Sequence, residues 1–106
     1  MTFKYLNVNG TTAEQILSAT TSDGRTKTVF KLLICNTDTT AITVNLYLKN
    51  AGGDTYYILK TIEIDIGYTL DVFEGKPFVY DDAFKLTFTL GHTDYTADII
   101  MNEIIN

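Results

Sequence analysis

His92 and Asp94, in the stretch Gly91-His92-Thr93-Asp94, are the residues best suited by type to move a proton. An imidazole beside a carboxylate can be held in one orientation and one tautomer. No nucleophile motif accompanies the pair, and acyl transfer also needs a positioned nucleophile and an oxyanion site, so the two read as a solvated turn. Asp81 and Asp82, with Glu74 a few residues earlier, form the densest acidic group and offer the oxygen ligands that Ca²⁺ takes. Their spacing matches no EF-hand, and a turn whose charges discourage strand pairing is the plainer account. Gly24 and Gly52-Gly53 lack the strand-to-helix context of a phosphate cradle. Cys35 is the single cysteine, so it makes no intrachain disulfide, belongs to no metal or redox motif, and reads as a small apolar residue. No catalytic residue, metal ion or cofactor is expected, and the chain reads as a protein that is not an enzyme.

The elements that would hold any site must be strands. Phe30, Leu32 and Ile34 share one face of a run. After the polar stretch Asn36 to Thr40, Ile42, Val44, Leu46 and Leu48 share another, with Ala41, Thr43, Asn45, Tyr47 and Lys49 opposite. Side chains of the Asn, Asp and Thr type bond their own backbone in turns, which predicts that these two runs form an antiparallel hairpin. Thr2 to Val8 reads as an edge strand or an assembly arm within residues 1–10, closed by Asn9-Gly10. The Thr-rich flanks of Glu14 to Ala19 favour a strand there, and Ser22-Asp23-Gly24 reads as a turn.

Thr55 to Asp65 alternates, with Tyr56, Ile58, Ile62 and Ile64 on one face and Tyr57, Leu59, Thr61 and Glu63 on the other. Short pieces follow at Leu70 to Val72 and at Phe78 to Tyr80, with Pro77 placed at a turn or an edge. Ala83 to Leu90 puts Phe84, Leu86, Phe88 and Leu90 inward and Lys85, Thr87 and Thr89 outward. Tyr95 to Ile105 closes the chain, with Ala97, Ile99 and Met101 on one face. About eight strands separated by Gly, Asn, Asp and Pro turns predict an all-β domain, an antiparallel β-sandwich of jelly-roll type.

A chain of 106 residues, 45% hydrophobic and 20% charged, fits one folded domain over residues 1–106. The net charge of −5, with eight Lys and Arg spread singly, supplies no patch to neutralise phosphates, so nucleic acid is not an expected partner. No apolar stretch reaches the length of a membrane span, and MTFKYLNVNG lacks the apolar run of a signal peptide, which predicts folding in the cytoplasm and no membrane partner.

Apolar residues on both faces of several strands suit two packed sheets plus a contact outside them. Tyr5, Leu6, Tyr47, Tyr57, Leu59 and Tyr68 fall opposite the expected core or in the N-terminal strand, and are the candidate interface residues. Aromatic side chains bury much area with few rotors, although the same residues would also serve as cross-strand neighbours. A homo-oligomer, a trimer or ring, or docking on a larger protein is expected.

The segment TKTVFKLLICNTDTTAITVNLYLKN, then YYILKTIEIDIGYTLDVFEGKPFVYDDAFKLTFTLG and the closing ADIIMNEI, resembles a group of small β-sandwich virion proteins of tailed bacteriophages. The shared features are a strand ending in a CN-T-D turn, a TVxLYL strand and a YYI-like strand. The TVPAG phrase that often precedes the first of these strands is replaced here by TTSDGRTK. The resemblance implies a structural subunit of the virion, made in the host cytoplasm, that binds neighbouring capsid, neck or tail proteins as a decoration or cement protein. A second class of function is a receptor- or glycan-binding module that presents the loops Asp23 to Lys27, Asn50 to Thr55 and Gly91 to Tyr95. The absence of tryptophan counts against stacking on sugar rings.

Overall fold

The computed structural model describes residues 1–21 and 23–106. Among the described residues there are nine strands and no helix. They are β1 (Thr2–Asn9), β2 (Gln15–Ser18), β3 (Thr26–Asn36), β4 (Ile42–Lys49), β5 (Thr55–Ile64), β6 (Thr69–Asp71), β7 (Phe78–Asp81), β8 (Lys85–Leu90) and β9 (Thr96–Ile105). Ser22, part of the turn expected at Ser22-Asp23-Gly24, lies outside the described residues.

The strands form two antiparallel sheets, one in the order β1-β9-β3-β6 with β7 also on β3, the other in the order β2-β8-β4-β5. β4 pairs with β5, β3 with β6 and β7, β2 with β8, and β1 with β9. The first half of the chain therefore pairs with the second half in reverse order, as one long two-stranded ribbon. Rolling that ribbon sends successive pairs to alternate sheets, which is the jelly-roll arrangement. Lateral ladders β3·β9 and β4·β8 then knit each sheet together.

The expected hairpin of Phe30 to Leu48 is not formed, because β3 and β4 belong to different sheets. Asn36 is the reason the chain can cross between them. Its side chain is buried, its Nδ2 donates to the Thr40 carbonyl at 2.9 Å and to the Ile64 carbonyl at 3.0 Å, and its Oδ1 accepts from the Asp38 amide at 2.8 Å. The polar stretch thus satisfies its own backbone, as a turn does, while serving as an arch between layers.

Leu32, Ile34, Val44, Leu46 and Phe88 are fully buried between the sheets. Each such side chain contributes roughly 1.5–3 kcal/mol relative to leaving it in water. Phe30 does not join them. Val29 pairs with Glu103 and Lys31 with Asn102, so Phe30 is the extra residue of a bulge, and the inward face passes from Lys27 and Val29 to Leu32 and Ile34 across it.

A second bulge redirects β5. Val44 pairs with Ile62 and Leu46 with Leu59, which leaves Lys60 and Thr61 opposite Asn45 alone. Thr61 takes a left-handed φ of 52°, and its amide donates to Asn45 Oδ1 at 2.8 Å. The face read from strict alternation breaks here: Leu59 packs against the core and Tyr56 is exposed. Thr87, expected outward in solvent, does face out but is buried, as the cross-strand neighbour of Ile16 on one side and Tyr47 on the other. Phe84 precedes β8 and is only partly buried against the core. Gly91 must lack a side chain, since a Cβ there would lie 2.0 Å from Thr43 Oγ1 while its amide donates to the Thr43 carbonyl.

Candidate interaction surface

The outer face of the five-stranded sheet gathers large apolar side chains that the core leaves out. One row across it runs Tyr5, Ile100, Leu33, set by the registers Tyr5↔Ile100 and Leu33↔Ile100. The next joins Phe3 to Asn102 and Lys31, and another joins Val79, Thr28 and Ile104. Phe3, Tyr5, Val79, Ile100 and Ile104 are all exposed, Tyr5 at 73%. Alternation produces this arrangement: the same strands send Val8, Ile99, Met101 and Tyr80 inward. Lys31 and Asp98 share the face, and its aromatic and apolar side chains are of the kinds enriched at interfaces.

The opposite outer face is differently built. Tyr47, expected exposed, is 6% exposed. Its ring lies 5.4 Å from that of Tyr57, and its hydroxyl donates to Glu14 Oε2, with Lys49 Nζ 3.2 Å from the same oxygen. The hydrogen bond from Tyr47, and then Lys49, hold the Glu14 carboxyl below the usual range, while burial and the bond to Glu14 push the Tyr47 hydroxyl well above its ordinary value. Tyr57 remains exposed with Lys60 Nζ 5.0 Å above its ring.

The six residues singled out from sequence are therefore not brought together. Tyr5 stands on the apolar face, whereas Leu6 and Leu59 pack partly against the core. Tyr47 is buried on the far sheet beside Tyr57, and Tyr68 is exposed in the turn before β6, its amide bonded to the Asp65 carbonyl. The sequence reading missed Phe3, Ile100 and Val79. The signal was available in the parity of β1 and β9, where Phe3 and Tyr5 alternate with Lys4, Leu6 and Val8.

Polar groups concentrate instead between the sheets. Lys27 and Glu103 are buried, at 1% and 3% exposed. Lys27 Nζ donates to Ser18 Oγ at 2.9 Å and to the Ala19 carbonyl, and Ser18 Oγ donates to Glu103 Oε1 at 2.8 Å. Lys4 Nζ reaches Glu103 Oε1 at 2.9 Å and the Leu17 carbonyl at 2.7 Å. Burial lowers the Lys27 pKa, with Glu103 opposing, and burial raises that of Tyr80, whose hydroxyl lies 3.5 Å from Glu103 Oε2. A lysine on a serine hydroxyl is the geometry of a Ser–Lys nucleophile pair. Ser18 is itself buried and already donates to Glu103, so no external substrate meets it. The arrangement is a clasp that ties β2 of one sheet to β1, β3 and β9 of the other. Lys27, expected in a presented loop, is instead a buried residue of β3.

The acidic group of Glu74, Asp81 and Asp82 is dispersed. Asp82 is buried and accepts from Thr21 Oγ1 at 2.5 Å and from the Arg25 amide at 3.0 Å, pinning the loop before β3. Asp81 Oδ1 accepts from the Ala83 amide, and Glu74 is exposed in a separate turn. Among the described residues no group of three or more His, Cys, Asp or Glu could hold a metal ion. His92 Nδ1 lies 3.5 Å from Asp94 Oδ2 and accepts from the Asp94 amide at 3.1 Å, in a turn where both side chains are solvent-exposed. Cys35 is a free, half-buried thiol on the outer side of β3.

The loops proposed to present a glycan site do not converge. Lys49 pairs with Lys85, which places Asn50 to Asp54 at the end where β8 begins, and the Asp82 amide on the Arg25 carbonyl places residues 23–25 there too. Gly91 to Tyr95 follows Leu90, at the other end of β8. Compared with known protein families, curated proteins and solved structures, the chain matches none.

Proposed function

We propose that the chain is a non-enzymatic structural subunit of a bacteriophage virion, a decoration, cement or head-neck-tail component that binds neighbouring proteins through the outer face of its five-stranded sheet. The observation that carries this reading is the concentration of Phe3, Tyr5, Val79, Ile100 and Ile104 on that one face, all exposed. Exposed aromatic and β-branched side chains gathered on one sheet face mark protein–protein interaction sites. A jelly roll is also an architecture that viral capsid domains use, although lectins use it as well and fold alone does not set function. The glycan-binding alternative is less well supported, because Gly91 to Tyr95 lies at the opposite end of β8 from the other two loops.

The test is incorporation. Particles of the phage carrying the gene are purified, and the tagged chain is quantified in them by mass spectrometry beside an Ile100→Lys variant. The wild-type chain is expected at a fixed copy number per particle and the variant at under about a tenth of it, as loss of a central interface anchor costs about 1.4 kcal/mol or more. Absence of the wild-type chain from particles overturns the reading.

A further inference from the structure

Of the five edge strands, four are short or bulged and one is neither. β2, β6 and β7 are four residues or fewer, and β5 is broken by its bulges. β1 spans eight residues, and its ladder with β9 runs without a register shift from Thr2↔Glu103 to Asn9↔Thr96. A long, regular edge is a template for another strand.

Which backbone groups are free follows from one bond. The Gly10 amide donates to the Tyr95 carbonyl at 3.0 Å, continuing the same register, so the even residues of β1 point their amides and carbonyls at β9. The odd residues Phe3, Tyr5 and Asn7 point theirs at the open edge. Antiparallel pairing about a two-fold axis needs free groups whose positions map onto themselves, and these do. With Tyr5 opposite Tyr5 of a second copy, Phe3 meets Asn7 and Lys4 meets Leu6. Moving the axis to Lys4 would set two like-charged residues opposite each other, each ammonium group held on Glu103 and the Leu17 carbonyl of its own chain, whereas the Tyr5 axis sets no like charges opposite.

Charge also selects the strand. In a chain of net charge −5 two copies repel, yet β1 contains one lysine and no acidic residue. A cleft of about 200 Å³ between β1 and β2, lined by Leu6, Ile16 and Leu17 among others, continues the apolar surface inward from the edge. We infer that β1 pairs antiparallel with β1 of a second copy, Tyr5 opposite Tyr5, joining two five-stranded sheets across a two-fold axis. The inference deepens the assembly reading and rests on it, in that the exposed face would then run continuously over the pair.

Tyr5→Pro tests it. Of the backbone groups proline removes only the Tyr5 amide, which faces away from β9, and it is tolerated at such an edge position. By sedimentation equilibrium the wild-type chain is expected to dimerise, and Tyr5→Pro to raise the dissociation constant at least about tenfold with an unchanged circular dichroism spectrum. Should Tyr5→Pro fail to fold, Tyr5→Cys in a Cys35→Ser background is expected to form an intermolecular disulfide on mild oxidation, and Asn7→Cys in the same background much less. A wild-type chain monomeric up to about 1 mM overturns the inference, as does a Tyr5→Cys variant that cross-links no better than Asn7→Cys. A chain that enters particles yet stays monomeric sinks the pairing alone; one that dimerises but is absent from particles sinks the virion reading alone.

Discussion

Lys27 sets an ammonium group between two apolar sheets, and its burden is visible in the pKa that burial lowers. Removing one member of such a buried set leaves the others unpaired, so Lys27→Ala is expected to destabilise by about 3–5 kcal/mol in urea unfolding, against under about 0.5 kcal/mol for exposed Lys76→Ala. Alkaline titration provides an independent check. The folded pKa of Lys27 lies below its unfolded value of 10.5, so the unfolded chain binds the proton more tightly. Stability contributed through this residue therefore rises with pH up to about 10.5. Tyr47 and Tyr80 act oppositely: their folded values are raised above 10.0, so the folded chain keeps protons that the unfolded chain releases, and stability rises as pH passes 10.0 only if the folded chain binds fewer protons, which here it does not; it falls. The rise in urea midpoint that Lys27 contributes below pH 10.5 is expected to be absent in Lys27→Met, with the fall above pH 10.0 retained. None of this clasp was legible in the sequence, because period-two patterning assigns a lysine to the outside and Lys27 looks like the end of a polar loop.

At the scale of elements, the strands themselves were legible and their partners were not. Alternation in Ile42 to Leu48 and in Leu86 to Leu90 identifies a buried face, and that face is the observed one. Alternation cannot say which strand lies alongside, and the polar stretch after Cys35 fits a hairpin turn and a sheet-to-sheet arch equally well. It also fails wherever a bulge adds a residue, as at Phe30 and at Lys60-Thr61. Phe88→Ala is expected to cost about 3–5 kcal/mol, as large core deletions do. Thr87→Ala, at a buried outward position, is expected to cost about 1 kcal/mol and not the near-zero change of an exposed threonine. Thr61 provides a prediction of the opposite sign. A β-branched residue at φ 52° is strained, and Thr61→Gly keeps the amide bonded to Asn45, so the variant is expected to be more stable by about 1 kcal/mol in its urea midpoint.

For the whole molecule the nested pairing governs how it forms. Among the described strands only β4 and β5 are joined by a short turn; every other ladder connects strands far apart in the chain, and β1·β9 pairs residues 2–9 with 96–103. Loop closure must precede those contacts, so refolding after denaturant dilution is expected on the millisecond-to-second scale of non-local β proteins. A microsecond phase carrying the full amplitude would contradict that. The β1·β9 ladder has another consequence. Because Thr2 lies opposite Glu103, the molecule is nearly a closed loop with a nick at one corner. A linker of about six flexible residues would seal the nick, and a new opening between Gly52 and Gly53, at the exposed tip of the β4–β5 turn, would leave every ladder in place. In that permuted chain β9 and β1 become the local pair and β4 and β5 the last to meet, so the same architecture would be assembled from its opposite end.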